Sequence, residues 1–461
     1  MANEENINKQ EAKGAAGSPL ALSPGVARAL AKAFGNSRSA SAAMGKPVGA
    51  DVSGESAKQP GGEAPVNKIN YIASAGGSAA LRRPILGQLN TGSKALLKND
   101  FKVAFAGGGT GGHLYPALAV ADELKRLGIT SMFFDSGHGV GRDIVPRHGY
   151  DLRTIMAQGL GGGILDKIKA CFKMACGFVQ SIFILRQFAP RVVVASGGYV
   201  SVPAALAGAV LGIPIVIMEQ NAFAGKAVKL LANFASCICV SMPGRYAGLP
   251  EKKLVFTGNP VRSAIVNADK GQAMKKLGIK PGQFCAVVMG GSQGAKALNE
   301  AVLKLIPQLT DREMTLIHLT GESNFAEVSS RSIELVKDGR LDYRAMAYCD
   351  DMASLYAAAN LVVCRAGATT LAEITAKGLP SILVPYPHAA ENHQEANARI
   401  LESKGAAIVI LDKDVEKELP AALLPLLSDE MRLRRMGAAS RTLGCPEAAK
   451  SVAKQILAAG K

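Results

Sequence analysis

KVAFAGGGTGGHLYPALAVADELK, residues Lys102 to Lys125, reads as strand, loop and helix in turn. Lys102–Ala106 is a short run suited to a buried strand. Gly107–Gly112 follows, with Thr110 as its single side chain. A helix is expected over about Tyr115–Leu127, where Leu118, Val120, Ala121 and Leu124 are apolar. A strand, a glycine loop and a helix open a doubly wound α/β unit, and the loop amides with the helix N-terminus suit an anion.

Outward from this stretch the alternation continues. Strands are expected at Ser131–Phe134, Arg191–Ala195, Ile213–Met218, Cys237–Val240 and Leu254–Thr257, with helical stretches between several of them. The pattern then restarts. Phe284–Met289 is a strand, Gly290-Gly291-Ser292-Gln293-Gly294 a second glycine loop, and Ala295–Leu309 a helix. Further strands are expected at Leu316–Leu319, Leu361–Cys364, Ser381–Val384 and Ala407–Ile410. Strands alternating with helices imply parallel sheets. Two such openings imply two Rossmann-like domains facing a cleft, joined near Asn259-Pro260-Val261-Arg262.

Residues 1–98 contrast with this pattern. They are rich in Ala, Gly, Ser and Pro, and are expected to form a disordered tail. Through Asp100 this part holds 12 basic and 7 acidic residues. Over all 461 residues the net charge is +16, which favours anionic partners. Trp is absent and aromatics are 5%, against a stacking-based nucleic-acid binder. Eight cysteines without a matching pair at zinc-site spacing read as reduced thiols. No basic region followed by an apolar run opens the chain, so no signal peptide is expected. Val192–Met218 is 27 residues without a charge, long enough to cross a bilayer. Gly197-Gly198-Tyr199 and Gly212-Ile213-Pro214 divide it into strand, helix and strand instead.

Gly107–Gly112 also satisfies G-x-G-x-x-G, and Asp135 ends the next strand. Alone, that pair fits a dinucleotide site with its ribose-binding acid, and so an NAD-dependent oxidoreductase. Three features favour another reading. His113 stands at the helix entrance, where an imidazole could reach a reacting hydroxyl. A second glycine loop opens the other domain. A third, Arg365-Ala366-Gly367-Ala368-Thr369-Thr370, opens a helix bearing Glu373. Phosphate on loop amides and carboxylate on ribose would together hold a nucleoside diphosphate.

Gly108-Gly109-Thr110-Gly111-Gly112-His113 with Pro116, Ser196-Gly197-Gly198-Tyr199-Val200-Ser201, Glu219-Gln220-Asn221, Gly258-Asn259-Pro260-Val261-Arg262, Gly290–Ala295 and His393-Gln394-x-x-Asn397 together resemble the MurG family. Its members move N-acetylglucosamine from UDP-N-acetylglucosamine to lipid I, the undecaprenyl-pyrophosphoryl-MurNAc-pentapeptide, to form lipid II. The resemblance runs from about Phe101 to the C-terminus. His318-Leu319-Thr320-Gly321 departs from it, with Leu where Gln is common. The resemblance implies a GT-B fold, inversion at the anomeric carbon, no metal site and no cofactor. Asp412-Lys413-Asp414, the one D-x-D, is expected to be a solvated loop. A related transferase acting on another lipid acceptor is the neighbouring alternative.

The implied arrangement is an acceptor and membrane domain over 99–262, a donor domain over 263–442, and a C-terminal helix at about 443–461 packing back on the first. His113 is the candidate general base, its ordinary pKa of about 6.5 suiting that task. Thr110, Gly111 and Gly112 would lie at the nucleotide-sugar or the acceptor diphosphate, and Asn221 at the donor sugar. Arg262 would pair with the diphosphate, as would Ser292 and its loop. Glu373 would take the ribose hydroxyls, with Ala368, Thr369, Thr370, Leu371 and Ala372 lining that helix start. Cys349 would set its backbone against uracil, and Gln394 would contact the sugar.

A lipid acceptor requires a membrane surface. Leu160, Ile164, Ile168, Phe172, Phe178 and Phe183, flanked by Lys167, Lys169 and Lys173, suit an interfacial helix. The implied location is peripheral, on the anionic cytoplasmic face of the cell membrane. Other cell-wall synthesis proteins are possible partners; nucleic acid is not expected.

Overall fold

The computed structural model describes residues 101–461 apart from Leu160, Gly162, Arg245, Ser292, Lys337 and Asp338. The expected tail and the expected roles of Leu160 and Ser292 therefore lie outside the described residues.

The first lobe is built on seven parallel strands: β1 Lys102–Gly107, β2 Thr130–Asp135, β3 Asp151–Thr154, β4 Val192–Gly197, β5 Ile215–Glu219, β6 Cys237–Val240 and β7 Leu254–Phe256. Their spatial order is β3-β2-β1-β4-β5-β6-β7. The helices are α1 Gly111–Arg126, α2 Gly141–Arg147, α3 Ile164–Phe188, α4 Ser201–Val210 and α5 Lys226–Leu231. Val103, Phe105, Val192, Val194 and Val216 point to one face of the sheet. There they meet Leu114, Leu118, Ala121 and Leu124 of α1. Ala104, Ala106, Met132, Phe134 and Val193 point to the other, where Leu185 of α3 and Ala204 of α4 pack. With both faces covered, the central strands β1, β4 and β5 are largely apolar. The uncharged Val192–Met218 run is β4, α4 and the start of β5, as its glycine punctuation requires.

The second lobe carries β8 Phe284–Met289, β9 Met314–Leu319, β10 Asp342–Met346, β11 Leu361–Cys364, β12 Ser381–Leu383 and β13 Ala407–Val409. Their order is β10-β9-β8-β11-β12-β13. Its helices are α6 Ser263–Asn267, α7 Lys270–Lys276, α8 Lys296–Leu305, α9 Glu322–Leu335, α10 Met352–Ala358, α11 Ala368–Lys377, α12 His393–Ser403, α13 Val415–Leu426 and α14 Glu430–Leu443. The last helix, α15 Ala448–Ala459, leaves this lobe. Its Val452, Ala453, Ile456 and Leu457 sit in the first lobe's core beside Leu114 and Val216.

Three sequence expectations are corrected. β3 and β10 were not expected: both are edge strands, and DLRT and DYRAM lack the apolar pattern of a buried strand. α1 begins at Gly111 rather than near Tyr115, because glycines at helical dihedrals carry no propensity signal. Asp412-Lys413-Asp414 is not a free solvated loop. It forms a 3₁₀ turn whose Asp412 pairs with Arg365.

Candidate functional site

In both lobes the strand order reverses beside the first strand, between β1 and β4 and between β8 and β11. Crevices form beyond the carboxyl ends of strands at such points. All the glycine loops singled out in the sequence leave strands at that end.

His113 is the third residue of α1. Its Nδ1 lies 3.3 Å from Thr110 Oγ1. Gly197 has φ +110°, and a Cβ there would stand 2.5 Å from His113 Cδ2, so a glycine is needed to seat the ring. Enclosure of the ring, and then the nearby His393, pull the imidazole pKa down to about 4. This corrects the expectation of an unperturbed value near 6.5. Desolvation of the half-buried ring disfavours the charged imidazolium there.

Contacts cross the cleft at this point. Thr369 at the start of α11 donates its hydroxyl to the Gly112 carbonyl at 3.0 Å. Arg262 Nη2 donates to Glu373 Oε1 at 3.1 Å, and its guanidinium lies 4.4 Å from the Tyr115 ring centroid. The Tyr115 and Tyr348 hydroxyls are 3.4 Å apart. The sequence reading placed Arg262 on phosphate and Glu373 on ribose. In the structure they hold each other. Glu373 is 5% exposed, and burial outweighs Arg262 to raise its carboxyl pKa above the usual range.

Asn221 is held from two sides. Glu219, buried at the end of β5, accepts from the Asn221 N–H at 2.9 Å, Asn221 Nδ2 at 3.3 Å and the Gly225 N–H at 2.8 Å. Asn397 of α12 donates to Asn221 Oδ1 at 3.3 Å and accepts from the Ala222 N–H at 3.0 Å. Gln394, on the same helix, accepts from the Tyr386 N–H at 3.0 Å. Thr110, Gly111, Gly112, His113, Arg262, Thr369 and Glu373 thus meet at the cleft. Thr370 and Ala372 are half-buried on α11, and Ala368 is buried beside them. The Leu371 side chain instead belongs to the second lobe's core. Cys349 is buried next to the exposed Tyr348, and burial raises its thiol pKa.

Asp135 does not suit a ribose. It is 1% exposed, accepts from the Gly137 N–H at 2.9 Å and is walled by Gly108 and Gly141. The dinucleotide reading loses its acid for that reason. The sequence reading gave no role to Tyr115, Tyr348, Glu219 or Asn397. Glu219 had a signal, as an acid closing a strand after 27 uncharged residues. The two tyrosines had none, since only the approach of the lobes brings them together.

The glycosyltransferase family 28 N-terminal domain matches residues 103–240, and the C-terminal domain of the same family matches residues 285–456. The chain is 41% identical over 366 residues to a Moorella thermoacetica protein, covering 77% of this chain and 98% of that one. A Listeria welshimeri protein is 39% identical over 360 residues, covering 77% and 99%. Both relatives are named UDP-N-acetylglucosamine--N-acetylmuramyl-(pentapeptide) pyrophosphoryl-undecaprenol N-acetylglucosamine transferase. Among solved structures, Acinetobacter baumannii MurG aligns with TM-score 0.63 and 28% identity, over 78% of this chain and 99% of that one. A Neisseria meningitidis UDP-GlcNAc 2-epimerase, 12% identical with TM-score 0.55 over 78% and 99%, shares the fold alone. These matches, with the two parallel sheets and the cleft between them, place the chain in glycosyltransferase family 28, and it belongs to the MurG branch of that family.

Proposed function

We propose that the chain transfers N-acetylglucosamine from UDP-N-acetylglucosamine to lipid I, forming lipid II for peptidoglycan synthesis. The observation that carries this reading is the meeting of His113, Arg262, Thr369 and Glu373 at one cleft, in a chain whose relatives are named for that reaction.

The first lobe takes the lipid acceptor and the second the nucleotide-sugar. With Nδ1–H donating to Thr110 Oγ1, His113 Nε2 keeps its lone pair. The acceptor hydroxyl loses its proton to Nε2 as its oxygen bonds to the anomeric carbon. The bond from that carbon to the UDP phosphate breaks with its electron pair, and the configuration inverts. UDP leaves with an added negative charge. Arg262 swings from Glu373 to the diphosphate and stabilises that charge, as a guanidinium matches phosphate oxygens. Glu373, released, accepts the ribose hydroxyls. Asn221, braced by Glu219, and Gln394 hold the sugar, while Cys349 borders the uracil.

The enzyme works at the cytoplasmic membrane surface through α3. Ile164, Ile168, Phe172 and Phe183 are 78%, 60%, 69% and 66% exposed, whereas Ala170, Gly177, Ser181 and Leu185 are buried against the lobe. Phe178, grouped with the outer stripe in the sequence, packs inward. Lys167, Lys169 and Lys173 stand by the exposed face and suit anionic headgroups. Other cell-wall synthesis proteins would meet it at that surface.

A transfer assay tests the reading: full-length protein, a soluble lipid I analogue and labelled sugar nucleotides. Label from UDP-N-acetylglucosamine should pass to the analogue, and label from UDP-glucose should not. Equal transfer from both would refute the donor assignment. Absence of transfer to lipid I, with transfer to a diacylglycerol, would refute the acceptor.

A further inference from the structure

A cavity of about 920 Å³ lies in the second lobe, away from the cleft. Phe284 at the start of β8 borders it, as do residues just before β11 and β12, so it sits at the amino ends of the strands. The cleft loops leave the opposite ends. Lys270, Lys377, Arg434 and Arg441 line this cavity, against one carboxylate, Glu430. Glu430 is already paired with Arg434 at 2.6 Å. Among the described residues, Lys270, Lys377 and Arg441 form no salt bridge.

Half-buried Lys377 and exposed Arg441 are positioned by backbone rather than by ion pairs. Lys377 Nζ donates to the Ala268 carbonyl at 2.8 Å, just past the end of α6. Arg441 lies over Gly378, where a Cβ would come within 2.6 Å of its Nε. Burial and the neighbouring Arg441 lower the ammonium pKa of Lys377. Asp269, the carboxylate that acts on Lys377, is engaged in capping α7 through the Gln272 N–H at 2.8 Å. Three cations therefore border one space with no carboxylate in ion-pair contact among the described residues. Leu379, Leu427 and Leu433 supply an apolar wall. The volume falls within the ~300–1,000 Å³ of small-molecule sites, and convergent cations beside apolar surface match phosphate attached to an organic body.

We infer that this cavity is a second binding site, for a phosphate-bearing anion held by Lys270, Lys377, Arg434 and Arg441. The inference does not depend on the transfer reaction.

The test is equilibrium binding of inorganic pyrophosphate to the full chain with UDP present in excess to fill the cleft. One saturable equivalent is expected. Arg441→Ala combined with Arg434→Ala should weaken it at least tenfold, with UDP affinity and melting temperature unchanged. Ala438→Glu, at an exposed lining position, should weaken it similarly. A parallel arm uses phosphatidylglycerol vesicles against phosphatidylcholine vesicles. A variant defect seen with pyrophosphate assigns a soluble phosphate compound. A defect seen only with phosphatidylglycerol assigns a lipid headgroup. Pyrophosphate that fails to saturate, or binds all variants alike, together with unaltered vesicle binding, would overturn the site.

Discussion

Glu373 is buried and His113 half-buried, and their environments set opposite tasks. The imidazole stays neutral down to about pH 4. A base works only while unprotonated, so kcat/KM should remain flat as pH falls from 7 to 5 and decline only toward 4. His113→Ala should remove that limb and lower kcat by roughly 10²–10⁴-fold, leaving the Kd for UDP-N-acetylglucosamine unchanged. A limb near 6.5 that survives the substitution would transfer the role to another group. Glu373 acts on binding instead. Its proposed ribose contacts exist in ground and transition states alike, so Glu373→Ala should raise donor KM with little change in kcat. A charge-assisted hydrogen bond contributes about 1.5–3 kcal/mol, which corresponds to roughly a 10- to 150-fold rise. The substitution also frees Arg262, so a normal donor KM would argue that the ion pair, not ribose, is the purpose of Glu373.

Individual elements present these residues, and two can be tested directly. The β4–α4 loop backs His113 with a residue that has no side chain. Gly197→Ala would place a methyl group 2.5 Å from the ring, at a φ of +110° that alanine rarely adopts. The ring must shift, and a displacement of about 1 Å at a catalytic group costs on the order of 10²-fold in rate. The measurement is kcat beside donor Kd: a fall in kcat alone is expected, while equal losses in both would indicate general misfolding. α3 is tested by its outer face. Phe172→Ser with Phe183→Ser removes exposed rings, so the melting temperature should hold. Affinity for anionic vesicles should fall at least tenfold, since each buried aromatic side chain contributes about 1.5–3 kcal/mol. Turnover on a soluble acceptor should be unaffected. Unchanged vesicle binding would remove α3 from the membrane contact.

At the scale of the whole molecule, the buried His318 ties stability to pH. His318 is 0% exposed; its Nε2–H donates to Asn299 Oδ1 at 3.0 Å and its Nδ1 accepts from the Tyr343 hydroxyl at 2.9 Å. Burial lowers its pKa to about 4. The unfolded chain, with histidine near 6.5, binds more protons between those values, so stability falls as pH drops from about 6.5 to about 4. His113 acts in the same direction. Unfolding followed by urea titration should lose, for His318 alone, about 3 kcal/mol across that window. His318→Gln should flatten the slope relative to wild type. An unaltered slope would mean that His318 binds protons alike in the folded and unfolded chain.

The strands other than β3 and β10, the glycine loops and the helices that follow them were legible in the amino-acid chain, though α1 was read as starting near Tyr115 rather than at Gly111. Their signals are local: β-branched runs between glycines, and periodic apolar positions such as Leu118, Ala121 and Leu124. β5 shows the same legibility, because a strand covered on both faces is largely apolar up to its closing Glu219. β3 and β10 escaped that logic, since an edge strand is half solvated and its composition resembles a loop. Contacts between the lobes were beyond any local signal. Arg262 meets Glu373 across 111 positions, Thr369 meets Gly112 across 257, and Tyr115 meets Tyr348 across 233. The lowered pKa of His113 belongs with them, because desolvation depends on what surrounds the ring. Sequence alone set which elements form and which side chains could act as acid, base or phosphate ligand. Tertiary packing decided which of them touch, which are shielded from water, and hence what charge each carries.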